Sequence, residues 1–569
     1  MDVSLNKQGE VIRFTAEATK EYHEEIQVAC SGTARKSRTG IFTLPADPTL
    51  LRRMAQRCPE YTMSARLKRH LSEMAKRQQQ VYHATNLTEP VSSGKLLYPF
   101  QNASVRVLEA GGSFIIRHSM GLGKTPIACR AIEYMGLQRS IVLAPASVKW
   151  SWVKHLQEWS DVDNIVVLDT GSEKTDMENV RIFSRKREEK LKDLLESGEN
   201  FCIVSGYELM QTLVDLMLRY DYDALIIDEA HRLKNRNAKR TKELHRLAKV
   251  CARRWLFTGT LIRNCYTDVF APLAFVDPIR FSSYWNFVNI YLETTPNHFG
   301  GVDIIGLKDK DEFNAMLSVY TYMLTKEDVM QELPQKVYTT YPLDMKKEQA
   351  KIYKQMEKEF IAELDSGLDV VAPTTIAKLI RLRQICLSPA LLHDESGRRG
   401  PHESAKIEVL EELIEQLSNE ERRFIIFTYF RGFIPFVEEI LRDRKIKYDV
   451  IVGGQKSKER MKIQEDLTSG KIDAIIGTAQ SMGEGMNLQA ADTAIFCDLD
   501  WVPANNIQAE DRIHRGDIKD CPHIIKLTHL NTVEQDILDT ISRKERIQDD
   551  VSGHTETIKR MMTRLKGGK

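Results

Sequence analysis

The chain has no Cys-x-x-Cys pair, and none of its nine cysteines is grouped with histidines at zinc spacing. Neither a structural zinc module nor a disulfide framework is expected, and a reduced, intracellular protein is. No uncharged apolar run approaches the roughly 18 residues of a membrane span, and the N-terminus lacks the apolar core of a signal peptide. Charge of one sign is missing too: 81 Lys and Arg face 80 Asp and Glu. Only a local basic excess can therefore select an acidic partner. No segment repeats at a period of about 20 to 50 residues, which argues against solenoids and propellers. What is present is ordinary soluble composition, 42% hydrophobic and 28% charged over 569 residues. That is ample for packed cores and, at about 150 residues per domain, for three or four domains.

Residues 1–90 stand apart. Between Arg35 and Arg77 there are eleven Lys and Arg against three Asp and Glu, and the stretch Glu89-Pro90-Val91-Ser92-Ser93-Gly94 marks a boundary. Beyond it come short β-branched runs: Phe114-Ile115-Ile116, Ser140 to Leu143, Ile165 to Leu168, Phe201 to Val204, Ala224 to Ile227 and Trp255 to Phe257. A second series comprises Phe424 to Phe427, Tyr448 to Val452, Ala474 to Ile476, Thr493 to Phe496 and His523 to Leu527. Uninterrupted runs of this length suit strands buried on both faces of a parallel sheet. Two series predict two α/β lobes, 91–335 and 336–550, with mostly helical sequence from about 276 to 420 and a basic tail at 551–569.

The local signal for chemistry is Met120-Gly121-Leu122-Gly123-Lys124-Thr125, between an apolar strand and a helical stretch. Glycines let main-chain N–H groups approach phosphate oxygens. Lys124 reaches the β- and γ-phosphates of a nucleotide, and the Thr125 hydroxyl suits Mg²⁺. About a hundred residues later, Ile226-Ile227-Asp228-Glu229-Ala230-His231 ends a second apolar run with two carboxylates. Asp228 suits the Mg²⁺ shell, and Glu229 suits orientation and deprotonation of an attacking water.

Gly-Leu-Gly-Lys-Thr followed by Asp-Glu-Ala-His resembles superfamily 2 helicases, and Met-Gly-Leu-Gly-Lys-Thr resembles the Snf2 family of DNA translocases within it. The resemblance runs from about 95 to 545. Leu97 to Gln101 resembles the adenine-reading Q motif, with Gln101 as base contact. Leu143 to Ser147 resembles motif Ia, and Phe257-Thr258-Gly259-Thr260 motif III. Glu332 to Lys336 and Leu382-Arg383-Gln384-Ile385-Cys386 resemble interlobe signatures. Gly477 to Asp492, which includes Gly485, resembles motif V, and Gln508 to Arg515 motif VI. The resemblance implies two RecA-like lobes and ATP with Mg²⁺ as cofactors. It implies Arg512 and Arg515 as arginines acting on the transferring phosphoryl group, and their spacing of three predicts that both project from one helix face. It implies coupling through Thr258, Gly259, Thr260 and Gln508. DNA phosphates are expected at Ser147, Lys149, Ser205, Tyr207, Thr428, Arg460, Ser481 and Asn487. Trp150, Trp152 and Trp159 are expected to pack. The sequence departs from the family pattern at His118-Ser119, where an acidic pair is usual, at Leu261 for proline, and at Gly516-Asp517-Ile518 after motif VI.

The resulting expectation is a monomeric ATP-driven motor on double-stranded or branched DNA, without a membrane role. It would remodel forks, anneal strands or serve repair, in a bacterial or infected-host cytoplasm or a nucleus. Gly40-Ile41-Phe42-Thr43-Leu44-Pro45 with Leu50-Leu51 faintly resembles the HARP-type module of annealing helicases, and a second DNA surface is expected in residues 1–90. Two alternatives stay open: a strand-separating DNA or RNA helicase, and a nucleotide-switched DNA-binding scaffold.

Overall fold

The computed structural model describes residues 2–542, apart from 9–10, 18–21, 31–32, 38–40, 46, 59–61, 93, 147, 171–176, 298–300, 331–333, 366–371, 393–399, 402, 456, 483–485, 515–520 and 540. The tail at 551–569 thus lies outside the described residues. Two compact units divide the chain, one running to Val329 and the other beginning at Met330.

In the first unit an eight-stranded sheet has the order Thr321–Tyr322, Phe114–Ile116, Cys251–Phe257, Tyr222–Asp228, Arg139–Leu143, Phe201–Ser205, Ile165–Leu168, Val180–Phe183. Every pairing in it is parallel. Successive side chains alternate between two cores: Ile115, Ile141, Leu225, Ile227 and Leu256 pack on one face, and Phe114, Ile116, Val142, Ile226 and Phe257 on the other. This double burial is why the strands read as unbroken apolar runs. With every strand parallel, the loops that follow the strands leave from one carboxyl edge, where open α/β sheets hold their ligands.

The N-terminal residues form a five-stranded sheet ordered Arg35–Lys36, Ile41–Pro45, Val11–Glu17, Asp2–Gln8, Thr62–Met63. Val3, Phe42, Leu44, Leu50 and Met54 share one apolar cluster with Phe287, Tyr291 and Phe313. A buried polar knot reinforces it: Arg280 donates to Asp47 Oδ1 at 2.8 Å, and Tyr291 Oη donates to Asp47 Oδ2 at 2.6 Å. The compositional boundary near residue 90 is therefore crossed by shared packing. Several N-terminal basic residues expected to form a DNA surface are spent here. Arg52 pairs with Glu312 at 2.6 Å, and Arg53 bonds Glu312 and the Ile290 carbonyl. Arg77 donates to the carbonyls of Gly111 and Ser113 at the end of the helix Pro99–Gly111. Orphan carbonyls at a helix C-terminus take such a cation readily.

The second unit holds a six-stranded, all-parallel sheet, ordered Val337–Leu343, His523–His529, Thr493–Phe496, Phe424–Thr428, Ala474–Thr478, Tyr448–Ile451. From 276 to 420 the described residues are mostly helical, with one antiparallel hairpin, Leu292–Pro296 with Val302–Leu307, and the strands Thr321–Tyr322 and Val337–Leu343, one for each sheet. Among the described residues no helix is long and apolar enough to cross a membrane.

Candidate nucleotide site

The strand Phe114–Ile116 leads into the Gly-rich loop, and the loop into the helix Lys124–Tyr134. Gly121 and Gly123 have φ of 86° and 71°, a left-handed backbone that costs other residues free energy. Gly123 is required for a second reason, since a Cβ there would sit 2.2 Å from Gln101 Nε2. Gln101 is clamped: its Nε2 donates to the Leu122 carbonyl at 3.1 Å, and its Oε1 accepts from Tyr98 N at 3.0 Å. Lys124 Nζ donates to the carbonyls of His118 and Ser119 at 2.9 and 3.2 Å, which holds the ammonium across the loop.

His118, one of the departures from the family pattern, is fully buried. Its Nε2 lies 2.7 Å from Ser104 Oγ and its ring meets Tyr322 edge-on. Burial, assisted by Lys124, pushes its pKa down to about 3, so the ring is neutral. Leu261, standing for proline, is buried in the core below the third loop.

The strand Tyr222–Asp228 delivers the two carboxylates. Asp228 Oδ1 accepts from Glu229 N at 2.9 Å and Oδ2 from Trp152 Nε1 at 2.8 Å, while Tyr207 Oη donates to the Asp228 carbonyl. Glu229 has φ of 51°, a strained value for a non-glycine residue of the kind concentrated at functional sites. Burial disfavours charge on both acids. At Asp228 burial and the neighbouring Glu229 push the pKa up. At Glu229 burial is outweighed by His231, Lys124 and Arg263, which hold it below the usual carboxylate range. Glu229 is therefore the ionised member, with His231 Nδ1 3.1 Å from its Oε2. Thr125 and Asp228 offer the hard oxygens that Mg²⁺ prefers. Among the described residues no group of three or more His, Cys, Asp or Glu could hold a metal alone.

Next along the edge, Thr258 Oγ1 donates to the Thr260 carbonyl at 2.9 Å and accepts from Thr260 N at 3.2 Å. His231 Nδ1 lies 3.4 Å from that hydroxyl, and a Cβ on Gly259 would stand 3.2 Å from Met120 Cγ. Loops one, two and three thus touch.

The described residues expected to contact DNA have side chains that bond within the protein. Lys149 is buried, donating to Asp169 Oδ1 at 2.9 Å and the Leu168 carbonyl at 3.0 Å. Tyr207 is buried on the Asp228 carbonyl, and Ser205 donates to Gly206 O. Thr428 Oγ1 donates to Asp498 Oδ1 at 3.1 Å, and Ser481 Oγ lies 2.6 Å from Thr478 Oγ1. Arg460 donates to the Ser481 and Val452 carbonyls, and Asn487 Oδ1 accepts from Gln489 N. The polar side-chain atoms of Lys149, Ser205, Tyr207 and Thr428 are thus engaged by neighbouring groups of the protein. Ser147, Gly485 and Arg515 lie outside the described residues.

In the second unit Gln508 is buried on the helix Pro503–Glu510. That helix ends before Arg512, which sits in the following turn, buried, donating to the Met486 carbonyl at 3.1 Å. The predicted common helix face for the arginines is therefore corrected. Glu510 is gripped by Lys336 at 3.2 Å, Tyr338 at 2.8 Å and Lys526 at 3.1 Å, which fixes the helix end to the first and second strands of its sheet. Arg383 of the Leu-Arg-Gln signature is buried against Asp498 at 3.3 Å and the Leu499 carbonyl at 2.6 Å, among the rings of Tyr429, Phe430 and Trp501.

Sequence reasoning missed the hydrogen bond from Trp152 to Asp228. Packing was expected for this residue and is observed, but a helical tryptophan carries no local signal of what its N–H meets.

Comparison with known proteins bears on the same residues. Residues 68–391 match the SNF2-related domain, and residues 405–517 the helicase conserved C-terminal domain. The SWI/SNF chromatin-remodeling complex subunit snf22 of Schizosaccharomyces pombe is 26% identical over 456 residues, covering 74% of this chain and 26% of its own length. The human SWI/SNF-related matrix-associated actin-dependent regulator of chromatin subfamily A member 1 is 26% identical over 481 residues, covering 82% and 44%. The chain thus spans less than half the length of either relative. A solved structure, the Sulfolobus solfataricus SWI2/SNF2 ATPase core in complex with dsDNA, is 24% identical, covering 83% of this chain and 97% of that one at a TM-score of 0.37. With the first family match alone taking in residues 68–391, more than half of the 569, this protein belongs to the SNF2-related family.

Proposed function

We propose that the protein is a DNA-dependent ATPase that tracks along duplex DNA. The observation that carries the chemistry is Glu229: an ionised, strained carboxylate at the end of the strand Tyr222–Asp228, held 3.1 Å from His231. Main-chain N–H groups of the loop around Gly121 and Gly123 cradle the phosphates, and Lys124 neutralises them. Gln101, beside Gly123, reads the adenine. Glu229 takes the proton of the water that attacks the γ-phosphorus. Mg²⁺ held by Thr125 and Asp228 would supply charge neutralisation on the phosphate oxygens. Family membership supports a role for Arg512 and Arg515 in phosphoryl stabilisation and for Gln508 in coupling.

DNA as partner is supported by family membership and by relatives named as chromatin remodellers. Main-chain groups near Lys149 and at Ser205–Tyr207 bind phosphates without reading bases, and Ser481 and Asn487 are further candidate contacts. Exposed Arg66, Lys68, Arg69 and Lys76 on the helix Ala65–Ala84 form an accessory phosphate surface. Cys521 is exposed and free, and no other cysteine is bridged, which supports a reduced, intracellular setting. A triplex-displacement assay beside a forked-duplex unwinding assay tests the motor. ATP-dependent release of the third strand with the fork intact is expected; an unwound fork with the triplex untouched contradicts it.

A further inference from the structure

Asp228 is held from two directions by donors that belong to neither acidic loop nor Gly-rich loop. Trp152 lies four residues into the helix Lys149–Trp159, which follows the strand Arg139–Leu143. Its indole N–H reaches the carboxylate oxygen Oδ2 at 2.8 Å. Tyr207 opens the helix Tyr207–Met217, which follows the strand Phe201–Ser205. Its hydroxyl donates to the main-chain carbonyl of the same aspartate. Both side chains are buried, at 1% and 0% exposure. The three strands concerned are neighbours in the sheet.

An indole or phenol packed in a core needs one acceptor, and any free carbonyl would serve. Here both donors converge on one residue of the acidic pair, so its side chain and its main chain are fixed independently. The two helices also begin at the loops placed against DNA phosphates in the proposed function. Close packing leaves no slack between a helix's first turn and a side chain one turn later. A shift that engages the loop is passed to the hydrogen bond on Asp228.

We propose that Trp152 and Tyr207 are positioning residues that tie the geometry of Asp228 to the two loops facing DNA, so that binding of duplex and binding of magnesium nucleotide are energetically linked through the first unit itself. This rests on the proposed function, since it takes those loops as the DNA-bearing ones. Linkage is reciprocal: whatever factor duplex adds to nucleotide affinity, nucleotide adds to duplex affinity.

The test uses the full chain and its Trp152→Phe, Tyr207→Phe and doubly substituted forms. Affinity for a fluorescent ADP analogue is measured across a Mg²⁺ titration, with and without a blunt 30-base-pair duplex (about three helical turns). Thermal melting is recorded alongside. In the unsubstituted protein the linkage factor should be about fivefold or more. Each single substitution should reduce it, and the double form should bring it close to one while both ligands still bind. Should Trp152→Phe fail to fold, Tyr207→Phe, which removes one oxygen and keeps the ring, carries the test alone. An undiminished factor in the folded variants overturns the proposal, as does a factor of one in the unsubstituted protein when both ligands bind. Failure of the unsubstituted protein to bind duplex at all removes the function on which the proposal stands, and is distinguished by the duplex titration alone.

Discussion

His231 Nδ1 lies 3.1 Å from Glu229 Oε2, and the same nitrogen is 3.4 Å from Thr258 Oγ1. One buried imidazole therefore stands between the base of the proposed hydrolysis and the loop that follows the neighbouring strand. Glu229→Gln keeps shape and hydrogen bonding while removing basicity, so nucleotide binding should persist and hydrolysis should vanish. His231→Phe leaves Glu229 unsupported and should lower turnover by about 10- to 100-fold, as loss of an outer partner does at comparable sites. Steady-state turnover and nucleotide affinity, measured on both variants, check this. Near-native turnover in Glu229→Gln would remove it from the chemistry.

Gly123 is constrained twice, by a φ of 71° and by Gln101 Nε2 at 2.2 Å from a Cβ. Gly123→Ala should lose about 1–2 kcal/mol from the backbone conformation alone, with a further loss from the displaced amide. Adding Gln101→Ala relieves the contact but not the backbone, so the double variant should recover stability in part. Urea midpoints of the two single variants and the double variant test this. Strict additivity would contradict the contact.

Acid should destabilise the fold through its buried histidines. His118 has its pKa pushed down to about 3, chiefly by burial, and His245 and His529 down to about 4, again chiefly by burial. Each takes up a proton in the unfolded chain near its ordinary pKa of about 6.5 but not in the folded one. Their stabilising effect is thus complete above that pH and lost as pH falls toward the folded values. The slope is about 1.4 kcal/mol per pH unit for each proton. Melting midpoints between pH 7.5 and 5 should fall, and His118→Gln should flatten the fall. A midpoint rising on acidification would contradict it.

Arg383 and Asp498 are buried together at 2% exposure each. Removing one partner of such a pair strands the other charge, at a cost of about 3–5 kcal/mol. Arg383→Met should therefore unfold the second unit at lower denaturant, while Arg383→Met with Asp498→Asn, which removes the charge and keeps an acceptor for Thr428 Oγ1 and Tyr429 N, should recover part of the loss. Urea denaturation of the single and double variants checks this.

Much of this was legible in the sequence, for physical reasons that differ by element. Strands such as Ala224–Ile227 and Phe424–Phe427 announce themselves because both faces are buried. The edge strand Val337–Leu343 does not: its side chains are mostly exposed, and its polar alternation hides it. The N-terminal strands Asp2–Gln8 and Val11–Glu17 alternate in the same way, and only their antiparallel register reveals them. Lys124, Asp228 and Glu229 are local patterns, so sequence finds them. Burial is not local. Nothing local in the sequence shows that Asp169 holds Lys149 or that the Asp228 carbonyl holds Tyr207. The three-residue spacing of Arg512 and Arg515 suggested a helix, whereas the helix stops at Glu510, anchored by Lys336 and Lys526.

The most direct measurement is steady-state ATP hydrolysis with blunt duplex DNA, with single-stranded RNA, and with neither. A DNA-dependent ATPase of this family should turn over several times faster with duplex than without it, with RNA well below duplex, and Lys124→Ala should be inactive throughout. Turnover that is the same with and without duplex in the unsubstituted protein would contradict the account.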